Sequence, residues 1–216
     1  MSPREDTIRN VSESGRPPLW YRWYSRIGRL IRAPWHRVRF RAFGRGARLD
    51  FPSFVVGARA IEIGAGALIS RGARFEAHFT HEGETRIRVG ARTRIAPHVH
   101  IGAAGLVEIG EECGIGSYTW ITDHDHDTSD PRNSVVSHKR VRVSPTIIED
   151  GVYIGERVAI LRGVRIGRGS VVGTNSVVVR DIPPYSIAVG APARVIKRFD
   201  LVSGTWISVA NGDRAS

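Results

Sequence analysis

Between residues 63 and 178 an aliphatic residue or a phenylalanine returns at every sixth position. The marks are Ile63, Ile69 and Phe75; Val89, Ile95 and Ile101; Ile109, Ile115 and Ile121; then Ile148, Ile154, Ile160, Ile166, Val172 and Val178. The residue after a mark is usually small, as at Gly64, Ser70, Gly90, Ala96, Gly102, Gly110, Gly116, Gly155, Gly167 and Gly173. Four positions after a mark comes another small or β-branched residue, such as Ala67, Thr93, Val158, Val164, Ser170 or Ser176. A period of six matches neither the 3.6 of a helix nor a long alternating strand. It fits short strands joined by tight turns, each turn opening on a residue too small to obstruct it. Stacked coils of such strands send one apolar residue from each flat side into a narrow interior. The chain therefore reads as an all-β fold, a parallel β-helix of hexapeptide repeats.

The marks lose phase three times. Phe75 to Val89 spans fourteen residues, Ile101 to Ile109 eight, and Ile121 to Ile148 twenty-seven. The longest excursion, residues 122–147, is a place to expect function, because long loops on a rigid scaffold commonly carry it. It contains the stretch ITDHDHDTSD, residues 121–130, with two of the chain's eight histidines and four aspartates. The ruler divides the chain into a basic N-terminal segment (1–45), the β-helix (46–182) with its loop at 122–147, a tail (183–199) and a C-terminal extension (200–216). In that extension a strand is expected through Trp206.

A single cysteine excludes an internal disulfide and any multi-cysteine zinc site. Cys113 falls in the small-residue slot four after Ile109, which makes it interior filler rather than a nucleophile. No secretory signal and no run of about 20 apolar residues is present, and the expected location is the cytoplasm. Of the net charge of +11, eight units lie in residues 1–45, where eleven arginines face Glu5, Asp6 and Glu13. A segment of that charge suits an anionic partner such as phospholipid or a phosphorylated substrate; nucleic acid is not the expected partner.

The repeats, the histidine-bearing loop and the run GVYIGERVAILRGVRIGRGSVVGTNSVVVRDIPPYSIAVGAPARVIKRF together resemble the hexapeptide-repeat acyltransferases. The likeness is to the branch of maltose, galactoside, Nod-factor and polysaccharide O-acetyltransferases, and it covers roughly residues 55–199. It implies a left-handed prism, a homotrimer with active sites between subunits, acetyl-CoA as donor and a sugar hydroxyl, in some members an amine, as acceptor. The chemistry agrees. Moving an acetyl group from a thioester to a hydroxyl needs a base for the hydroxyl proton, and histidine titrates near working pH. It also needs a backbone N–H for the oxyanion. The family's Ala-Asn-His or Thr-Gly-His motif, counted five positions from the last mark, selects His126 as base; a two-residue slip selects His124. Asp123, Asp125 and Asp127 are each candidates to fix the tautomer of either ring.

Carried over by position, Tyr153 takes the place of a tryptophan that walls the acceptor pocket, with Asp125 also facing the acceptor. Glu156, Thr174, Val179 and Arg180 match contacts to the donor and its pantetheine arm. Arg194 and Lys197 match the cations that meet the phosphates of CoA. No metal is implied by this branch.

LWYRWYSRIGRLI has helical periodicity, with Trp20, Trp23, Tyr24, Ile27, Leu30 and Ile31 on one face and Arg22, Arg26 and Arg29 on the other. Pro34 should end it. Such a helix suits either a cover for the open end of a β-helix or, through residues 20–32, a peripheral contact with the inner face of the membrane. Two further functions stay open. A carbonic-anhydrase-like metalloenzyme on the same fold would need a His-Gly-x-x-x-His spacing, whereas His98 and His100, like His124 and His126, are two apart. A non-catalytic trimeric scaffold binding glycan or membrane would leave acetyl-CoA untouched.

Overall fold

The computed structural model describes residues 35–79, 81, 83–132, 134–135 and 140–209. The expected helix over residues 20–32 lies outside them. Six coils of three short strands each stack into a three-faced, left-handed prism. Face one carries Ala42–Phe43, Ile61–Ile63, Ile87–Val89, Val107–Ile109, Thr146–Ile148 and Arg165–Ile166, in that spatial order. Face two begins with Arg48–Leu49, Leu68–Ile69, Arg94–Ile95, Gly114–Ile115, Tyr153–Ile154 and Val171–Val172. Face three carries Phe54–Val56, Arg74–Ala77, His100–Ala103, Trp120–Thr122, Ala159–Ile160 and Val177–Val178. Every pairing between successive coils is parallel, and the marks sit directly over one another: Ile63 on Val89, Val89 on Ile109, Ile109 on Ile148.

All fifteen marks are at most 2% exposed and form one continuous core. The small residues four positions on fill the corners. Thr93 and Thr119 use their hydroxyls there to bond carbonyls of Gly110 and Gly155 on the next coil. Cys113 is buried in such a corner, where burial pushes its thiol pKa up, as expected of a filler.

The small residue after each mark has a different cause from the one read in the sequence. Gly64, Gly90, Gly110, Gly116, Gly155 and Gly167 do not take the left-handed conformation. A Cβ on any of them would lie 2.3–2.6 Å from atoms of the next coil, which is mostly backbone there. They are glycine so that coils can stack. The left-handed corner residue comes two positions later, and is filled by Gly66, Gly72, Gly151, Gly163 and Gly169, but also by Arg92, His98, Glu112, Tyr118, Arg157 and Asn175.

The prism starts earlier than residue 46. Phe43, Leu49 and Val55 make a first coil whose partners are Ile63, Ile69 and Phe75. Residues 35–39 are helical. His36 stacks on Phe43 (centroids 5.2 Å apart) and meets Phe40 edge-on, so this segment covers the first coil. At the other end Ser186–Gly190 adds to face two in parallel. Ala193–Asp200 and Thr205–Ser208, the strand expected around Trp206, then follow antiparallel.

All three phase slips fall at one corner, where face three turns into face one: after Ala77, after Ala103 and after Thr122. A fourth, from Val55 to Ile63, is taken up there by a 3-10 turn at Ala58–Ala60. The insertions therefore stack along a single edge.

Candidate active site

The long insertion leaves face three at Thr122 and opens as an antiparallel hairpin, His124–His126 against Val141–Val143. Its base is pinned to the prism: Ser144 N–H donates to the Asp123 carbonyl, and the Thr146 hydroxyl donates to the Thr122 carbonyl (2.8 Å). Asp123 is fully buried. Its Oδ1 accepts from Ala104 N–H (2.8 Å) and Oδ2 from Gly105 N–H (2.6 Å). Those two donors belong to the short Ile101-to-Ile109 insertion, whose two extra residues thus form a hook for one carboxylate.

The third bond to Asp123 comes from His124, with Nδ1 2.9 Å from Oδ1. Burial alone would raise the Asp123 pKa. The His124 bond, the two backbone donors and the His124 charge outweigh it and hold the carboxyl below its ordinary value. Asp123 is therefore ionised, so in the neutral ring His124 Nδ1 carries the hydrogen and Nε2 is the acceptor. The Thr122 hydroxyl, 3.1 Å from Nδ1 and bonded to the His124 carbonyl, fixes the ring further. The first insertion adds His78, whose ring meets His124 edge-on at 5.6 Å. Each of the three insertions thus contributes to the surroundings of one imidazole.

His126 is placed differently. It is exposed on the hairpin, opposite Val141. The aspartates beside it are engaged elsewhere: Asp125 pairs with Arg162 at 2.7 Å, and Asp127 with Arg142 at 3.1 Å. Of the three aspartates weighed from the sequence as tautomer-fixing partners, only Asp123 meets a histidine ring among the described residues.

The remaining candidates fall into two groups. Val179 and Arg180 follow the last strand of face three, on the edge that bears the hairpin. Glu156 and Thr174 lie stacked on the opposite edge of face three, where face two turns into it, with Gly155 close against Thr174. Tyr153 projects from face two, 57% exposed. Arg194 and Lys197 lie on the antiparallel strand that extends face two. Three residues apart, they would point to opposite sides of a regular strand. A bulge opposite Ile187 and Ala188 shifts the register, so Arg194 pairs with Val189 and Lys197 with Ile187, and both cations share the outer side. One subunit brings the histidine loop and the Tyr153–Glu156–Thr174 group to different edges.

The sequence reading overlooked Glu76 and His78, weighed His100 only for metal spacing and took Gly102 for a turn residue. Glu76 and His100 stand on the outside of face three, with His100 Nε2 2.7 Å from Glu76 Oε2. Arg74 grips the same carboxylate with two bonds of 2.7 and 2.8 Å. The available signal was positional, since these residues flank face-three marks next to the edge where every insertion emerges. Among the described residues no group of three or more histidines, cysteines or carboxylates is arranged to hold a metal ion.

Comparison with known proteins places this fold. The bacterial transferase hexapeptide (six repeats) family matches residues 145–180. The chain is 33% identical over 173 residues to the "Putative lipopolysaccharide biosynthesis O-acetyl transferase WbbJ" of Escherichia coli K12, covering 77% of this chain and 86% of that one. It is 41% identical over 95 residues to a "Probable acetyltransferase" of Mycobacterium tuberculosis, 44% of this chain and 31% of that protein. Among solved structures, a hexapeptide-repeat acetyltransferase of Vibrio cholerae complexed with acetyl coenzyme A superposes with a TM-score of 0.57 at 26% identity, over 79% of this chain and 78% of that one. The N-acyltransferase AntD of Bacillus cereus shares the fold at a TM-score of 0.66 and 23% identity, over 77% and 87% of the two chains. With its buried ladder of sixth-position marks, its single insertion edge and a relative alike over nearly its whole length, the chain belongs to the bacterial hexapeptide-repeat transferase family.

Proposed function

We propose that this protein transfers an acetyl group from acetyl-CoA to a hydroxyl of a sugar, as part of a polysaccharide, glycolipid or small glycoside, with His124 as the base. The observation that carries the assignment is the Asp123–His124 pair: a buried carboxylate fixes the imidazole with Nε2 available on the insertion edge. The lipopolysaccharide O-acetyl transferase relative supports the sugar acceptor, and the acetyl-CoA complex of the Vibrio cholerae structure supports the donor.

In this reading the acceptor O–H gives its proton to His124 Nε2 as its oxygen attacks the thioester carbonyl. The tetrahedral oxyanion collapses, the C–S bond breaks, and the departing thiolate recovers the proton from the imidazolium. Asp123 stabilises that imidazolium and holds the ring. The outward Arg194 and Lys197 meet the CoA phosphates. Because the histidine loop and the Tyr153–Glu156–Thr174 group lie on different edges, a complete site joins one edge of a subunit to another edge of its neighbour, as a homotrimer provides.

The test is release of free thiol from acetyl-CoA against a panel of sugars and sugar-lipids, beside light scattering of the same sample. His124→Ala is expected to abolish turnover with near-normal acetyl-CoA affinity, and His126→Ala to retain most of it. A dead His126→Ala beside an active His124→Ala would move the base to the exposed ring. A monomer at micromolar concentration would remove the shared site.

A further inference from the structure

Nine of the described glycines directly follow a strand's core residue: Gly44, Gly64, Gly90, Gly102, Gly110, Gly116, Gly155, Gly167 and Gly173. At eight of them an added Cβ would come within 2.3–2.7 Å of a neighbouring atom. Gly102 is the exception. Its Cβ would meet only His124 Cε1 at 3.5 Å and His100 Nε2 at 3.8 Å, and its backbone is not left-handed. Stacking does not require a glycine there. What its missing side chain leaves is room for about one methyl over a buried stretch of backbone, bordered by His124 Cε1 on one side and on the other by His100 Nε2, the nitrogen bonded to Glu76.

The second pair has a defined protonation pattern. The Arg74 bonds, and after them the His100 bond, hold the Glu76 carboxyl below its ordinary value against the opposing effect of burial. Burial outweighs the pull of Glu76 and keeps the His100 imidazole neutral to lower pH than usual. An ionised Glu76 can only accept, so His100 Nε2 carries the hydrogen and Nδ1 is the ring's acceptor. Arg74, Glu76 and neutral His100 sum to no net charge, which suits a neutral hydroxyl better than a phosphate or carboxylate. Trp120, the register partner of His100 on the next coil, has its ring 6.4 Å away and is 44% exposed, offering an apolar surface of the kind that sugar C–H faces stack on.

We propose that His100 and Trp120, on the outer side of face three beside Gly102 and His124, form an acceptor subsite in which the His100 nitrogen turned away from Glu76 accepts from a second hydroxyl of a neutral pyranose while His124 addresses the hydroxyl to be acetylated. The proposal rests on the O-acetyl transfer reading and deepens it: the acceptor carries hydroxyls on neighbouring carbons, and His100 selects for the one that does not react. Glu76 is a positioning residue, acting through the His100 tautomer.

The experiment separates this from the assignment of the reaction by measuring binding apart from turnover. Methyl pyranosides of glucose, galactose, mannose and N-acetylglucosamine, and their monodeoxy forms, are titrated calorimetrically and by ligand-observed NMR into the full chain with CoA present. At least one pyranoside is expected to bind. Gly102→Ala, whose methyl fills the gap without a short contact, and His100→Ala should each weaken it about tenfold, while CoA affinity and the melting temperature stay near wild type. His100→Gln, which can donate to Glu76 and accept from a hydroxyl, should restore part of the loss. Removing the gripped hydroxyl should weaken binding to wild type and change little for His100→Ala. Equal pyranoside affinity in wild type, Gly102→Ala and His100→Ala would overturn the subsite, as would failure of every pyranoside to bind. Normal pyranoside binding without any acetyl transfer would instead overturn the reaction and leave the subsite standing.

Discussion

Asp123→Asn changes one atom in the most constrained part of the site. Its Oδ1 serves Ala104 N–H and His124 Nδ1, while Oδ2 serves Gly105 N–H. An asparagine has one acceptor oxygen. With that oxygen at the Oδ1 position, its NH2 group confronts the Gly105 N–H. In the flipped orientation the NH2 confronts Ala104 N–H and donates to His124 Nδ1, forcing the hydrogen onto Nε2 and removing the base. Either way a fully buried donor is left without an acceptor, costing about 1–3 kcal/mol. For a chain of this size each kcal/mol lowers the melting temperature by about 2–4 °C. The loss of the anionic partner and of the tautomer should cut kcat by about 10²–10⁴-fold. The assay is thiol release at saturating acetyl-CoA with the acceptor found by screening, beside circular-dichroism melting and calorimetric acetyl-CoA affinity. A folded variant with kcat within about threefold of wild type, a difference of under 1 kcal/mol in the barrier, would show that the pair does not carry the chemistry.

Arg194→Ala and Lys197→Ala, on the outer side of the bulged strand, should each raise the KM for acetyl-CoA with less effect on kcat, and the penalty should shrink with dephospho-CoA donors; equal penalties with both donors would place these cations elsewhere. Gly116→Ala puts a Cβ 2.5 Å from the Gly155 backbone and should abolish soluble folded protein, whereas Gly102→Ala should melt near wild type, which expression and thermal melting compare directly. Asp123, Glu76 and His100 all have folded pKa values below their ordinary ones. The His100 contribution is therefore complete above its ordinary value of 6.5 and fades as pH falls below it, while the carboxylates' contributions fade only at lower pH, as they protonate. Denaturant midpoints should rise with pH across this acid window, and His100→Gln should flatten the part just below 6.5.

The fold was legible because a buried prism imposes a period that no other architecture imposes. Ile63 through Val178 could be placed in the core by counting alone. The first coil escaped because Leu49 and Val55 are followed by Asp50 and Val56 rather than by glycine, amid arginines that drew the reading toward a separate basic segment. Counting also located the histidine loop and ranked its two rings by distance alone. Sequence distance from Ile121 selects His126, whereas the hairpin starts at His124, which meets Asp123 at its base, and leaves His126 two residues further out and exposed. The different surroundings of the two rings depend on Ala104 and Gly105, two coil-linking residues whose N–H groups anchor Asp123 and carry no chemical signature of their own. Glu76 and His100, twenty-four residues apart in sequence, come together only because their strands pair in the sheet, where Glu76 sits diagonally from His100.

The confinement of every insertion to one edge bears on how such a chain can change. A coil must re-enter face one above the previous mark, and nothing limits the path it takes in between. Each doubling of a loop there costs only about 0.6 kcal/mol in closure entropy, while a single residue added at either other corner would turn the inward marks outward along that face. The prism thus behaves as a backplane with one row of sockets. Segments such as 78–86, 104–106 and 123–145 could be lengthened, shortened or exchanged with those of relatives while the marks stay in register. Acceptor preference would then be expected to diverge among related chains far faster than the coils that hold it.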